Sequence, residues 1–281
     1  MKKYIPFILT LLFLAFLFYL VPFKELFQTL SGIKPQNFFF ALLLYFLSQV
    51  FRTLRWSLFL KGYRFTDLFL INSANIMFNN ILPARTGELS WFYYAKRLGM
   101  NLSTSLLAFV VARLYDLLAL GFLLSLSLFF EWFAFAFVGV FLLSLSLLFH
   151  RLGAVLPPYG RLKELRDFFR TNMNAKLSFG LFALSLTAQT LKFLSFLVLL
   201  ELYGGDLYKL FVAFAGGELS SVLPFHSFMG FGSYELAFSL PVKLLGESLK
   251  EWLKLGFVFH SFLILGSLLL GVPSVLLLSR R

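Results

Sequence analysis

The 281-residue chain contains no cysteine, which removes disulfides, thiolate metal ligands and cysteine nucleophiles together and leaves redox chemistry without its usual protein groups. Histidine is nearly as scarce. His150, His226 and His260 are far apart and show neither HxxxH nor HExxH spacing, so no metal site is expected and no cofactor is implied. Charged residues make up only 14%, well below the roughly 25% of a soluble domain. What replaces them is apolar: 59% hydrophobic residues, 40 phenylalanines and a mean hydropathy of +0.84. These values exclude a soluble globular class and point to a polytopic membrane protein, with phenylalanine filling lipid-facing and core helix positions. The charges present are unbalanced, 25 Lys+Arg against 13 Asp+Glu, a formal net charge of +12. In a soluble protein this would suggest nucleic acid, but no folded basic domain is present to bind it.

A membrane helix requires about 20 mostly apolar residues. Cutting the chain where such runs meet charges, Pro or Gly predicts six full spans: Tyr4–Val21, Phe38–Leu60, Ser105–Phe130, Trp132–Phe149, Ser178–Leu200 and Trp252–Leu278. Lys2 and Lys3 make the first resemble a signal peptide, yet no small-x-small cleavage site follows Leu20, so an uncleaved anchor is expected. If the spans alternate, Lys2, Lys3, Arg52, Arg55, Lys61, Arg64, Arg151, Arg161, Lys163, Arg166, Arg170, Lys176, Arg280 and Arg281 share one side. The positive-inside rule makes that side cytoplasmic, which places the chain in the cytoplasmic (inner) membrane with both termini inside. The outer side receives Lys24, Lys34, Lys209, Lys243, Lys250 and Lys254, offset by Glu25, Glu131, Glu201, Asp206, Glu247 and Glu251.

Two segments do not fit simple crossing, Leu68–Leu98 and Leu207–Leu245. Each has short apolar arms around a proline, a pattern suited to a re-entrant hairpin. Basic residues flank the first on both sides, so it enters from the cytoplasm; the second lies between outer span ends and dips in from outside. ANIMFNNILP (74–83) and AGGELSSVLP (215–224) share Ala and Leu-Pro at the same spacing. The expected architecture is all-α: a single membrane domain (1–281) with six spans and two oppositely oriented hairpins, arranged as inverted repeats over 38–130 and 178–278, with a basic cytoplasmic loop at 150–177. Inverted repeats with discontinuous helices place a substrate path at the repeat interface; hairpins that serve only as packing elements are the bland alternative.

Ionisable residues at bilayer depth cost about 2.5–3.5 kcal/mol each on insertion scales, so each requires a partner or a purpose. Arg113 and Asp116 lie three apart on one helix face, where they either pair or share a headgroup. Lys192 stands inside a span with Gln189 one turn earlier, reaching a headgroup or snorkelling outward. Arg52 and Arg55 read as interfacial anchors. The first hairpin carries a polar stripe of Asn72, Asn75 and Asn79, then a break at Pro83 and Gly87 flanked by Arg85 and Glu88. Arg85 suits a phosphate, because its planar guanidinium stays charged and donates two parallel hydrogen bonds. The second hairpin has Glu218, Pro224, His226, Gly230, Gly232 and Glu235, its glycines serving close backbone approach or simply a turn. His260 is proton-coupled, headgroup-contacting, or a hydrogen-bonded packing residue.

The stretch NNILPARTG (79–87), followed by Glu88 and then Arg113-Leu-Tyr-Asp116, resembles the lysylphosphatidylglycerol synthase transmembrane-region family of flippase-like membrane proteins. Its later P-x-x-x-G-x-G-x-x-E segment has a looser counterpart from Pro224 to Glu235. The resemblance spans nearly the whole chain and implies a domain that moves or binds a lipid. Lysyl-lipid-synthesising relatives carry a soluble aminoacyltransferase domain after the membrane part, whereas this chain ends just beyond its last span, so synthesis is not expected.

The leading expectation is a lipid flippase or transporter for a polar, anionic or phosphate-bearing membrane lipid. Arg85, Arg113 and Lys192 would take the phosphate, while Glu88, Asp116, Glu218 and Glu235 balance those cations or contact an amine. The runner-up is a non-transporting scaffold that binds anionic lipid through Arg161, Lys163, Arg166 and Arg170. A lipid-modifying enzyme ranks lower, because neither a DGxxAR…DxxxD nor a KxxxxxxRP pattern is present and no paired carboxylates suggest a magnesium site. Self-association as a homo-oligomer is compatible with the sequence.

Overall fold

The computed structural model describes residues 5–83, 86–129, 131–157, 159, 161–220 and 227–280, with the side chains of 5–7, 161, 162, 164 and 165 excepted. Among the described residues the chain is all helical. In order the helices are α1 (Ile5–Leu20), α2 (Phe23–Ser31), α3 (Pro35–Phe59), α4 (Phe65–Ile81), α5 (Glu88–Arg97), α6 (Leu102–Phe129), α7 (Phe135–Leu148), the short α8 (Leu152–Val155), α9 (Arg161–Asn172), α10 (Ala175–Leu199), α11 (Leu207–Ser220), α12 (Ser233–Leu244) and α13 (Leu249–Ser279).

Five helical stretches are long and apolar enough to cross a membrane: α3, α6, Phe135–Val155, α10 and α13. The expected first span, Tyr4–Val21, coincides with α1. Helix α1 is 16 residues long and meets α2 at an 87° bend, so a sixth crossing exists only if this bent pair counts as one. The cause is local: Pro22 is extended (φ −54°, ψ 139°) and supplies no N–H, so the helix cannot run through it. The fourth span is displaced. It starts at Phe135 rather than Trp132 and continues through a 3₁₀ turn at Phe149–Arg151 into α8.

The expected hairpin segments each form two short helices. α4 and α5 have 17 and 10 residues, α11 and α12 have 14 and 12; at 1.5 Å per residue none reaches the roughly 30 Å of hydrocarbon. The stretch expected as a basic loop holds helix α9, whose sequence repeats Leu162, Leu165, Phe168 and Phe169 at helical spacing. Phe169 is buried against Phe149 and Met173, and Arg170 Nε donates to the Gly153 carbonyl at 2.9 Å.

Packing divides the chain into two compact units, one of residues 1–47, 70–94 and 191–281, the other of 48–69 and 95–190. Each therefore draws on both expected repeats. In the first, glycines let helices approach closely: a Cβ on Gly271 of α13 would meet Met77 of α4 at 2.3 Å, and one on Gly216 of α11 would meet the Ala237 carbonyl oxygen of α12 at 2.0 Å. In the second, Tyr115 of α6 is fully buried and donates to the Ser146 carbonyl of α7 at 3.1 Å. Helix α7 otherwise shows Phe137, Val138, Val140 and Phe141 outward, as suits a helix bathed in hydrocarbon.

Candidate functional site

In the second unit, three long helices bring polar side chains together. Helix α3 buries Ser48, Gln49, Thr53 and Arg55; α6 contributes Asp116, about 20 Å from either helix end; α10 contributes Ser185 and Gln189, one turn apart and both buried. Arg55 donates from Nη1 to Asp116 Oδ1 at 2.6 Å, from Nη2 to Oδ2 at 3.1 Å, and from Nη1 to Ser185 Oγ at 2.8 Å. This is the bidentate fork that a guanidinium forms with a carboxylate. Its side chain is 3% exposed, so Arg55 is not an interfacial anchor. With Lys61 and Arg64 beyond the helix end, anchoring does not require it, and the carboxylate of Asp116 makes burial tolerable. Arg52 and Arg113, both half-buried, stand close enough to act electrostatically on Asp116. Arg113 lies over the Phe109 ring at 5.1 Å.

The first unit holds both hairpins. In the first, the asparagine stripe turns inward: Asn75 Nδ2 donates to the Gly87 carbonyl (3.2 Å) and to Ser90 Oγ (3.3 Å), and Asn79 Nδ2 donates to Asn75 Oδ1 (3.3 Å). Asn72 is buried on the same face. The stripe thus ties α4 to the chain returning into α5. Gly87 is required there, since a Cβ would meet the Phe78 and Asn79 backbone at 2.3–2.4 Å. Pro83 ends the rising arm and its carbonyl accepts from Thr86; Glu88 opens α5, half-buried.

In the second hairpin, Lys192 of α10 pairs with Glu218 of α11, Nζ to Oε1 at 2.7 Å, with both side chains buried or nearly so. Lys192 therefore does not snorkel. Glu235, fully buried, accepts from the Gly232 N–H at 2.7 Å and meets His260 Nδ1 of α13 at 2.7 Å. Gly230 and Gly232 take φ of 75° and 104°, and Met229 takes 53°; a left-handed turn of this kind favours glycine. Helix α1 covers it, Thr10 Oγ1 donating to the Phe228 carbonyl at 3.3 Å and Phe13 lying where a Gly232 Cβ would be. Of the expected site residues, Arg85, Pro224 and His226 lie outside the described residues.

Within the acid–lysine set expected to balance on one side, four lysines pair side chain to side chain: Lys34–Glu201 (2.8 Å), Lys209–Asp206 (2.9 Å), Lys209–Glu247 (2.7 Å), Lys250–Glu25 (2.7 Å) and Lys254–Glu251 (2.5 Å). Hydrogen bonds from Lys34 and Asn37 hold the Glu201 carboxyl below its ordinary range, and Lys209 does the same for Glu247. Both contributions are present above the usual Glu pKa and are lost as pH falls through the lowered values.

Sequence reasoning placed Asp116, Lys192, Glu218 and Glu235 in the membrane but missed their partners, Arg55 and His260 above all. A usable signal existed in α3, where Ser48, Gln49, Thr53 and Arg55 make a polar run too dense for a lipid-facing helix. Chemically, the second unit offers a cation-rich polar cluster at bilayer depth and the first offers a neutral Lys–Glu pair beside a His–Glu pair. Comparison with curated proteins gives no match. The family model described as lysylphosphatidylglycerol synthase TM region, by contrast, matches residues 4–271, and over that length the chain belongs to this family of membrane domains.

Proposed function

We propose that this protein is a lipid flippase or lipid transporter that moves a polar or phosphate-bearing lipid across the cytoplasmic membrane, its two short-armed hairpins re-entering the bilayer from opposite sides as inverted repeats. The observation that carries the reading is the Arg55–Asp116 pair deep in α6 with Arg52 and Arg113 within electrostatic reach of the same carboxylate. Arg55 is buried and Arg52 and Arg113 are half-buried; holding three cations near one carboxylate is costly at bilayer depth, and a phosphate headgroup is the ligand whose charge and oxygen geometry such a group suits. Arg113 contacts the phosphate, Arg85 at the first hairpin break receives it from the cytoplasmic leaflet, and the acyl chains stay in the bilayer.

In proteoliposomes carrying fluorescent phospholipids of several headgroups, the wild-type protein accelerates movement between leaflets for at least one anionic lipid. Arg113→Ala and Arg85→Ala lower that rate about tenfold or more, while their thermal unfolding stays near wild type. No acceleration over empty vesicles for any headgroup sinks the reading. A scaffold that holds anionic lipid through α9, whose Lys163 and Arg170 are exposed, predicts the opposite ranking: replacing Arg161, Lys163, Arg166 and Arg170 matters more than replacing Arg85.

The orientation is tested in the naturally cysteine-free chain. A membrane-impermeant maleimide labels Gly204→Cys in intact cells and labels Lys163→Cys only after permeabilisation; the reverse pattern overturns the assignment of sides.

A further inference from the structure

We infer that Glu235 and His260 form a proton-binding site that couples lipid movement to a proton gradient, an inference that rests on the transport reading above. Glu235 is 0% exposed and His260 4%, in the apolar middle of the chain's longest helix and of its second hairpin, where an uncompensated charge is expensive. Both carboxylate oxygens of Glu235 are held, Oε2 by the Gly232 N–H and Oε1 by His260 Nδ1. With Nδ1–H donated to the carboxylate, a proton joins or leaves at Nε2 while that hydrogen bond stays intact. Protonated, the pair is an imidazolium and a carboxylate with no net charge; deprotonated, it leaves one negative charge enclosed by apolar rings. The imidazole stacks on Tyr234 at 4.4 Å between centroids, with Phe231 at 5.2 Å.

Among the described residues, few other titratable groups stand around the pair. Helix α12 presents Tyr234, which lies within electrostatic reach of both Glu218 and Glu235. On α11 stands Glu218, whose charge is matched by Lys192 of α10. Helix α1 contributes Thr10 and Phe13, and α13 has no other ionisable residue from Lys254 to its end at Ser279. Proton occupancy is tied to movement because the same carboxylate grips Gly232, in the left-handed turn where the second hairpin breaks. A change of charge on the pair changes the hold on that turn.

The test is the steady-state leaflet distribution of NBD-labelled phosphatidylglycerol in sealed proteoliposomes, with and without an imposed pH gradient. A gradient of about two units allows up to ~100-fold asymmetry per coupled proton; we expect a bias of about threefold or more in wild type and its loss in His260→Gln, scored on preparations shown to equilibrate the label without a gradient. Movement without bias in wild type, or bias retained in His260→Gln, overturns the coupling. If phosphatidylglycerol does not move, the gradient is applied to whichever headgroup of the panel does; if none moves, the transport reading fails instead. The site is then judged by imidazole NMR of the detergent-solubilised protein, where three histidines give separable signals. A His260 signal that changes with pH in wild type, and changes differently in Glu235→Gln, supports proton binding; an invariant signal overturns it.

Discussion

Replacing Asp116 with alanine is expected to destabilise the protein by about 3–5 kcal/mol, on the order of a 10 °C fall in the unfolding midpoint measured in detergent. The cost is that of an orphaned charge. Arg55 is 3% exposed and spends both terminal nitrogens on Asp116 and Ser185; without the carboxylate, its guanidinium remains in a low-dielectric interior with one hydroxyl as partner. Desolvation that the pair offsets jointly then falls on one ion. Replacing both partners by apolar residues removes the penalty at its source, so Arg55→Met combined with Asp116→Leu recovers most of the loss. Arg55→Lys does not substitute, because a single ammonium cannot reproduce two parallel bonds to Asp116 and a third to Ser185. An Asp116→Ala protein as stable as wild type, or a double variant as unstable as the single one, contradicts this account of how α3 and α6 are joined.

The second large effect is steric. Gly216→Val is expected to cost about 3 kcal/mol or more, because even its Cβ would lie 2.0 Å from the Ala237 carbonyl oxygen and backbone yields less readily than a side chain. α11 and α12 have to part for the new group to fit. Parting them strips Tyr234 from the bare face of Gly217, where its ring now packs, and moves the arm that holds Glu235 relative to the arm that holds Glu218. Gly204→Ala is the control: nothing lies within 4 Å of its added methyl, so a change within about 0.5 kcal/mol is expected. Equal stability of the two variants in thermal unfolding shows that the hairpin tolerates separation and that the glycine pair is not what brings its arms together.

Much of the architecture is legible in order and composition. The long helices α3, α6, α10 and α13 fall within a few residues of their expected spans, because a 20-residue apolar run has one stable fate in hydrocarbon. The first expected span shows the limit of that rule. Its end before Pro22 was legible, but the 87° turn into the amphipathic helix that follows was not, because composition carries no direction. The asparagine stripe was legible as residues that avoid lipid. Their role was not, since the sequence does not reveal that the Gly87 carbonyl and Ser90 return to within hydrogen-bonding distance of Asn75.

The sequence by itself determined what must be hidden: a membrane-spanning helical chain, its charge asymmetry, its family, and the short set of ionisable residues at bilayer depth that need an explanation. Only the tertiary structure decided what they are hidden against. Asp116 sits three residues from Arg113, yet its bidentate partner is Arg55, 61 residues away; Glu235 finds His260 25 residues on. Spacing along one helix fixes which face a side chain occupies, whereas the identity of its partner depends on which helices pack and at what depth. That depends on where glycines permit close approach and where a proline ends a run, and these effects sum over the whole molecule rather than along any one segment.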